Sequence, residues 1–258
     1  MSEPSPERSV VECGGYRFYC RNRDEFARIC QDVFDGHEYG FETRHRAPLI
    51  VDAGAHVGVA THYFKRRYPH ARVLALEANP VTFALLWKNI SHNGLEDVRA
   101  VHAALAPEAG TIPFYASASD EEPGAWGDSA IQQPWHEGES TAKVQVPAVT
   151  LSSLLTEPVE LLKLDIEGLE TVVLAEAAPR LSQVRRVILE FHGTRRNPGN
   201  SISRLTEILR AAGFTTDVLQ FGEHVALSAI QDDDPHWLMV RAERLTPWQR
   251  LRRGRRFA

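Results

Sequence analysis

Apolar and polar positions along this chain follow two periods, and the switches between them mark its elements. Val10 to Tyr19 alternates every second residue around Gly14-Gly15, which predicts a hairpin. Phe26, Ile29, Val33 and Phe34 recur at helical spacing behind Asp24, a residue type that caps helices, and Gly36 ends the run. Short apolar runs and helical patterns then take turns. Leu49-Ile-Val51 predicts a strand, residues 57–67 a helix, and Val73 to Leu76 a second strand. Pro80 to His92 predicts a helix with proline in its first turn and Asn93-Gly94 past its end, and Val98 to Leu105 a third strand.

The rhythm breaks next. Thr111 to Tyr115 and Lys143 to Val149 read as extra strands around Ser117 to Thr141, a stretch rich in Gly, Pro, Ser and acidic residues that reads as a loop or insertion. A short helix, Leu151 to Thr156, follows Thr150 as its cap. Alternation resumes with a strand at Glu160 to Asp165, a helix at Leu169 to Ala177, a strand at Val184 to Phe191 and a helix at Ser201 to Ala212 closed by Gly213. Two final strands, Phe214 to Phe221 and His236 to Ala242, have no helix between them.

Apolar strands alternating with helices predict a mostly parallel sheet covered on both faces. The last two strands add an antiparallel edge hairpin. The expected architecture is therefore α/β and Rossmann-like, with a seven-stranded sheet, an arrangement that resembles the class I methyltransferase fold more than a pure dinucleotide fold. Residues 1–46 read as a strand and helix extension, 47–242 as the main domain with an insertion at 111–149, and 243–258 as a basic tail.

Composition narrows the classes. With 258 residues, 43% hydrophobic and 24% charged, the chain can bury a core without disulfides or metal. A net charge of −5 gives no reason to expect nucleic acid as a partner. Cys13, Cys20 and Cys30 match no zinc spacing, and their odd count reads against a disulfide framework and for a reduced, cytoplasmic protein. Met1 to Pro6 has neither the basic start nor the apolar core of a signal peptide. No run approaches the roughly 18 apolar residues of a membrane span. The basic stretch Trp248 to Ala258 reads as a solvated, frayed end, with contact to an anionic partner as the other reading.

Candidate chemistry gathers at strand ends. Val51-Asp-Ala-Gly-Ala-His-Val-Gly58 is a strand, a glycine turn and a helix start, the geometry in which backbone closes on a nucleotide-like ligand. Asp52, Gly54, His56 and Gly58 are its candidate cofactor residues. Glu77 ends the next strand at the spacing of a ribose-binding carboxylate, followed by Ala78 and Asn79. Asn79 reads equally as a ribose or adenine contact and as a helix cap. A dinucleotide loop wants glycine at position 56, where a pyrophosphate meets the backbone, and His56 stands there. S-adenosylmethionine carries no phosphate and suits this loop better. The small residues of Val101-His-Ala-Ala-Leu105 leave room for an adenine near Ala103.

Asp165 ends the fourth strand and reads as a contact to the cofactor's ammonium or as a cation ligand; Glu167 and Gly168 form the turn behind it. Glu167 reads equally as a cap for the following helix. Glu190 and His192 fall on one face of the fifth strand and can approach Asp165. His192 is the first candidate for a general base, with Glu190 and Asp165 beside it. Asp165 with Glu190 can also hold Mg²⁺ through oxygen ligands, a point the sequence leaves open.

These residues carry a family resemblance. Val51 to Gly58, Ala75-Leu-Glu-Ala-Asn-Pro80, Asn89 to Asn93, Val149-Thr-Leu and Leu162-Lys-Leu-Asp-Ile-Glu-Gly-Leu-Glu170 resemble the FkbM family of S-adenosylmethionine-dependent methyltransferases across about residues 35–192. The chain departs at His56, where the family usually has Asn, and at Leu169, where it often has His. The resemblance implies methyl transfer to oxygen on a small hydroxylated acceptor such as a sugar or natural product. Trp126 and Trp135 in the insertion read as acceptor-pocket walls or as packing, and Tyr39 as a residue closing over the cofactor. The competing readings are a nicotinamide-dependent oxidoreductase and a non-catalytic S-adenosylmethionine-binding module.

Overall fold

The computed structural model describes residues 9–117, 128–131, 141–230 and 236–244. Two strands, β1 (Ser9–Cys13) and β2 (Tyr16–Cys20), form the expected hairpin around Gly14-Gly15, followed by α1 (Arg23–Cys30) and a π-helical turn that ends at Gly36. The α1 cap is Asn22 rather than Asp24: the Asn22 side chain accepts from the backbone N–H groups of Asp24 and Glu25. Asp24 instead stands in the first turn, where its charge suits the helix dipole.

The main body runs β3 (Leu49–Ala53), α2 (Val59–Arg67), β4 (Arg72–Glu77), α3 (Pro80–His92) and β5 (Val98–His102). After β6 (Ala104–Leu105), β7 (Gly110–Ser117), β8 (Thr141–Val149) and α4 (Leu151–Leu154) come β9 (Val159–Leu164), α5 (Glu170–Glu176), β10 (Val184–Gly193) and α6 (Ile202–Ala211). The final strands are β11 (Thr215–Gln220), β12 (Glu223–His224) and β13 (His236–Glu243).

The large sheet has the order β12-β11-β13-β10-β9-β3-β4-β5. Its β10, β9, β3, β4 and β5 are parallel, whereas β13 wedges antiparallel between β10 and β11. That is the anticipated seven-stranded arrangement with a two-residue eighth strand, β12, hairpinned onto its edge. The run expected as one third strand divides at Ala103: Val98–His102 stays in this sheet, while Ala104–Leu105 pairs with β8 in a separate sheet ordered β6-β8-β7. Trp126, Trp135, most of the insertion and residues 245–258 lie outside the described residues.

One apolar cluster fills the space between the sheet and α4, α5 and α6, with Leu162, Leu164, Val187, Leu189, Leu205 and Leu209 at its centre. A second joins the N-terminal segment to the opposite face: Phe18, Phe26 and Phe64 are fully buried there. Each such side chain contributes about 1.5–3 kcal/mol by leaving water. Asn89 ties this layer to the glycine loop. Its amide donates to the Tyr19 and Val57 carbonyls, and its Oδ1 accepts from the Tyr19 N–H.

The cysteine reading needs correction. Cys13 and Cys30 form a disulfide across 6.2 Å between their Cα atoms, stapling the hairpin to α1, and Cys20 stands buried outside that bond. The odd count was compatible with one bond because folding brings residues 17 apart in sequence together. Among the described residues no helix is long and apolar enough to cross a membrane.

Candidate active site

The carboxyl ends of the parallel strands open into one cavity of about 1000 Å³. In an open α/β sheet, ligands bind where neighbouring strands connect in opposite directions, here between β3 and β9.

Gly54 follows β3 with a φ of 74°, and a Cβ there would lie 1.7 Å from the Asp165 carbonyl oxygen. Only glycine lets the two strand ends cross so closely. The Gly54 and Ala55 N–H groups both donate to the Leu76 carbonyl, which holds the loop against β4. The His56 and Asn79 N–H groups donate to the two carboxylate oxygens of Glu77 at 2.9 and 2.8 Å. Glu77 is thus fixed by two backbone amides while each oxygen keeps a further lone pair for a ligand hydroxyl. Burial pushes its carboxyl up to about 7.

Gly54, His56, Glu77, Ala78, Ala103, Asp165, Glu190 and His192 all line the cavity, as does Tyr39. Three sequence candidates do not. Asp52 is fully buried behind the loop, where it accepts from the Thr61 hydroxyl at 2.6 Å and lies 3.5 Å from Lys163 Nζ. Gly58, with φ 96°, starts α2, and its carbonyl meets the His62 N–H and Nδ1. Asn79 caps α3 by accepting from the Val81 and Thr82 N–H groups, and its amide donates to Asp128. A side chain's type and position place it near a strand end but do not say which way it points.

Lys163 is the residue that sequence reasoning passed over. It lies opposite Asp52 in the β3–β9 register, donates to the Gly54 carbonyl at 2.5 Å and meets Asp165 at 3.2 Å. Burial opposes its charge, yet Asp165 and Asp52 raise its pKa above the ordinary lysine value. The available signal was a lysine inside a strand whose every residue is buried, since an unpaired charge is not tolerated there.

Beyond Lys163 the cavity floor turns acidic. His192 Nδ1 lies 3.1 Å from Glu170 Oε1, and its Nε2 lies 3.3 Å from Glu167, 3.8 Å from Glu190 and 3.9 Å from Asp165. Burial works against the imidazolium, but Glu167 and Glu170 outweigh it and raise the His192 pKa well above its usual value. Glu167, at φ 57°, turns its carboxylate to His192 and does not cap α5, whose cap residue is Leu169. Glu170 is itself fixed by the Gly168 N–H and the Asn200 amide. Burial raises the Glu190 carboxyl, with Asp165 adding to the effect. Donor atoms of Asp165, Glu190 and His192 lie within 4.8 Å of one another, the spacing of a cation site. Both His192 nitrogens face carboxylates, so a metal bound there would have to displace a proton whose hold on the ring these charges strengthen.

Leu219, Phe221, Trp237 and Met239 add apolar lining, with Met239 and Trp237 of β13 standing directly across from Glu190 and His192 of β10.

This sheet order, with a glycine loop and a backbone-fixed carboxylate at the strand ends beside its crossover, is that of the class I S-adenosylmethionine-dependent methyltransferases. Residues 52–216 match the methyltransferase FkbM domain, and the chain belongs to that family. It is 30% identical over 211 residues to methyltransferase sdnD of Sordaria araneosa, covering 70% of this chain and 80% of that protein. Over 155 residues it is 24% identical to the 2-O-methyltransferase NoeI of Sinorhizobium fredii, covering 56% of this chain and 63% of that protein. The crystal structure of methyltransferase FkbM from Methylobacillus flagellatus KT shares the fold, with a TM-score of 0.50 at 12% identity over 78% of this chain and 45% of that one. Family membership sets aside the oxidoreductase and non-catalytic readings.

Proposed function

We propose that the chain methylates a hydroxyl oxygen of a small molecule, with Glu190 receiving the hydroxyl proton. The observation that carries this reading is the convergence of Asp165, Glu190 and His192 on one end of the cavity whose other lining includes Gly54 and Glu77. Gly54, His56, Glu77, Ala78 and Ala103 are the residues to hold S-adenosylmethionine. When bound, that cofactor supplies an activated methyl group: the carbon–sulfur bond breaks as the carbon–oxygen bond forms, and sulfur keeps the electron pair. The protein's part is to align the acceptor and take its proton.

Burial opposes a proton on His192, the first candidate for the base from sequence, but its carboxylate neighbours raise its pKa and so favour the imidazolium. Glu190 is better suited: burial raises its carboxyl above the ordinary carboxylate range, which makes it a stronger base, and it remains partly open to the cavity. His192 and Lys163 then offset the surrounding negative charge and keep the carboxylates in place. Leu219, Phe221, Trp237 and Met239 offer the acceptor's unreactive part an apolar wall. This reading uses no divalent cation, and exhaustive chelation is expected to leave turnover intact.

Mass spectrometry of products from a panel of hydroxylated and amino acceptors tests the transfer, and methylation of nitrogen alone would sink the oxygen assignment. Glu190→Gln is expected to lower kcat by about 10²- to 10⁴-fold with cofactor affinity retained. Full turnover in Glu190→Gln alongside its loss in His192→Ala would return the base to His192.

A further inference from the structure

Helix α1 precedes the matched family segment, yet it brings a carboxylate to the glycine loop. Glu25, in the first turn of α1, is 5% exposed and lines the cavity. Its Oε1 lies 3.5 Å from His56 Nε2, but neither that oxygen nor His56 Nδ1 has a hydrogen-bond partner among the described residues. Burial raises the Glu25 carboxyl to about 7 and lowers the His56 imidazole to about 4, the reverse of what a mutual ion pair produces. The two side chains therefore do not satisfy each other. Buried acceptors left without a donor are costly and rare, and a ligand that supplies the donor accounts for one facing a cavity.

The position narrows which donor. The His56 backbone N–H holds Glu77, so Glu25 stands beside the ribose carboxylate. The charges acting on Glu25 are Arg21 and Asp128, and Asp128 also acts on Glu77. Of the donors on S-adenosylmethionine, the ribose hydroxyls are the ones expected beside a strand-end carboxylate such as Glu77.

We infer that Glu25 is a second ribose-recognition residue, a carboxylate delivered by α1 that accepts a hydrogen bond from a ribose hydroxyl of the cofactor beside Glu77. The inference rests on the family's cofactor and is independent of the acceptor proposed above. Calorimetry on the full chain with S-adenosylhomocysteine and with 5′-methylthioadenosine, which lacks the amino-acid group, tests it without any turnover. Glu25→Ala is expected to weaken both ligands by about 10- to 100-fold. Its effect is expected to vanish against the 2′-deoxy or the 3′-deoxy form of methylthioadenosine, whichever lacks the bonded hydroxyl. Weakening of S-adenosylhomocysteine alone would place Glu25 on the amino-acid group and overturn the inference, as would unchanged affinity for both. The ligand-free Tm separates recognition from structure. Removing an unsatisfied carboxylate is expected to leave it level or higher, and a lowered Tm with deoxy and parent ligands equally weakened would make Glu25 a packing residue only.

Discussion

Gly54 shows how much one residue can fix. A methyl group there would meet the Asp165 carbonyl oxygen at 1.7 Å, against backbone that has no flexible end to move. Gly54→Ala is expected to lower Tm by several degrees, on the order of what about 1–2 kcal/mol does to a chain of this size, and to abolish S-adenosylhomocysteine binding. Unchanged Tm and affinity would contradict the close crossing. Gly54, Glu77 and Asp165 line the cavity where their sequence positions placed them, because backbone turns and strand-end carboxylates leave a local pattern. Sequence reading misplaced Asp52 and left out Lys163 because their pairing is a cross-strand event, visible only once β3 and β9 are in register. Asn79 was legible as a cap or a contact, and only its bonds to the Val81 and Thr82 N–H groups decide between them.

At the scale of elements, periodicity located the strands and helices of the main sheet, including Pro80–His92 at both ends. It joined β5 and β6 into one strand because the chain stays extended through Ala103 while changing sheets, and a period carries no information about partners. The staple between β1 and α1 is a second such case: cysteine count alone does not reveal which thiols meet. Closing a loop of 17 residues with a disulfide restricts the unfolded chain and stabilises the fold by about 3 kcal/mol. Cys30→Ser is therefore expected to lower Tm under oxidising conditions and to leave it unchanged relative to the parent under full reduction, which paired thermal scans would check. Because α1 also supplies Glu25, Arg28 and Ile29 to the cavity wall, the oxidising scan should be accompanied by weaker cofactor binding in the variant.

For the whole molecule, acidic groups dominate the cavity in spite of an ordinary overall composition. Glu25, Glu38 and Glu77 are each raised by burial from 4.5 to about 7. Around Glu38, the carboxylates Glu190, Asp165 and Asp32 add to the rise and Lys163 opposes it; Arg21 and Asp128 act on Glu25; the Asn79 and His56 N–H groups, Asp128 and Lys163 act on Glu77. A raised carboxyl means the folded state holds the proton more tightly than the unfolded state. The stability these groups contribute is thus complete below about pH 4.5 and is lost as pH rises through about 7. The ligand-free Tm is expected to fall across that window, and S-adenosylhomocysteine should flatten the fall by giving the ionised Glu77 its hydroxyl donors. A Tm that climbs steadily from about pH 5 to about pH 8 would contradict the burial of these groups.

The wedge of β13 between β10 and β11 has a consequence for how this protein can be divided. The family match stops at residue 216, inside β11, so it omits β13 at one end and the whole hairpin and α1 at the other. A chain trimmed to those limits would lose β13, β12 and all but two residues of β11, leaving β10 as a raw edge where β13 had paired. The stretch that inheritance marks as a unit is shorter than the stretch that cooperates in folding, and a working fragment must be cut by strand pairing rather than by sequence likeness.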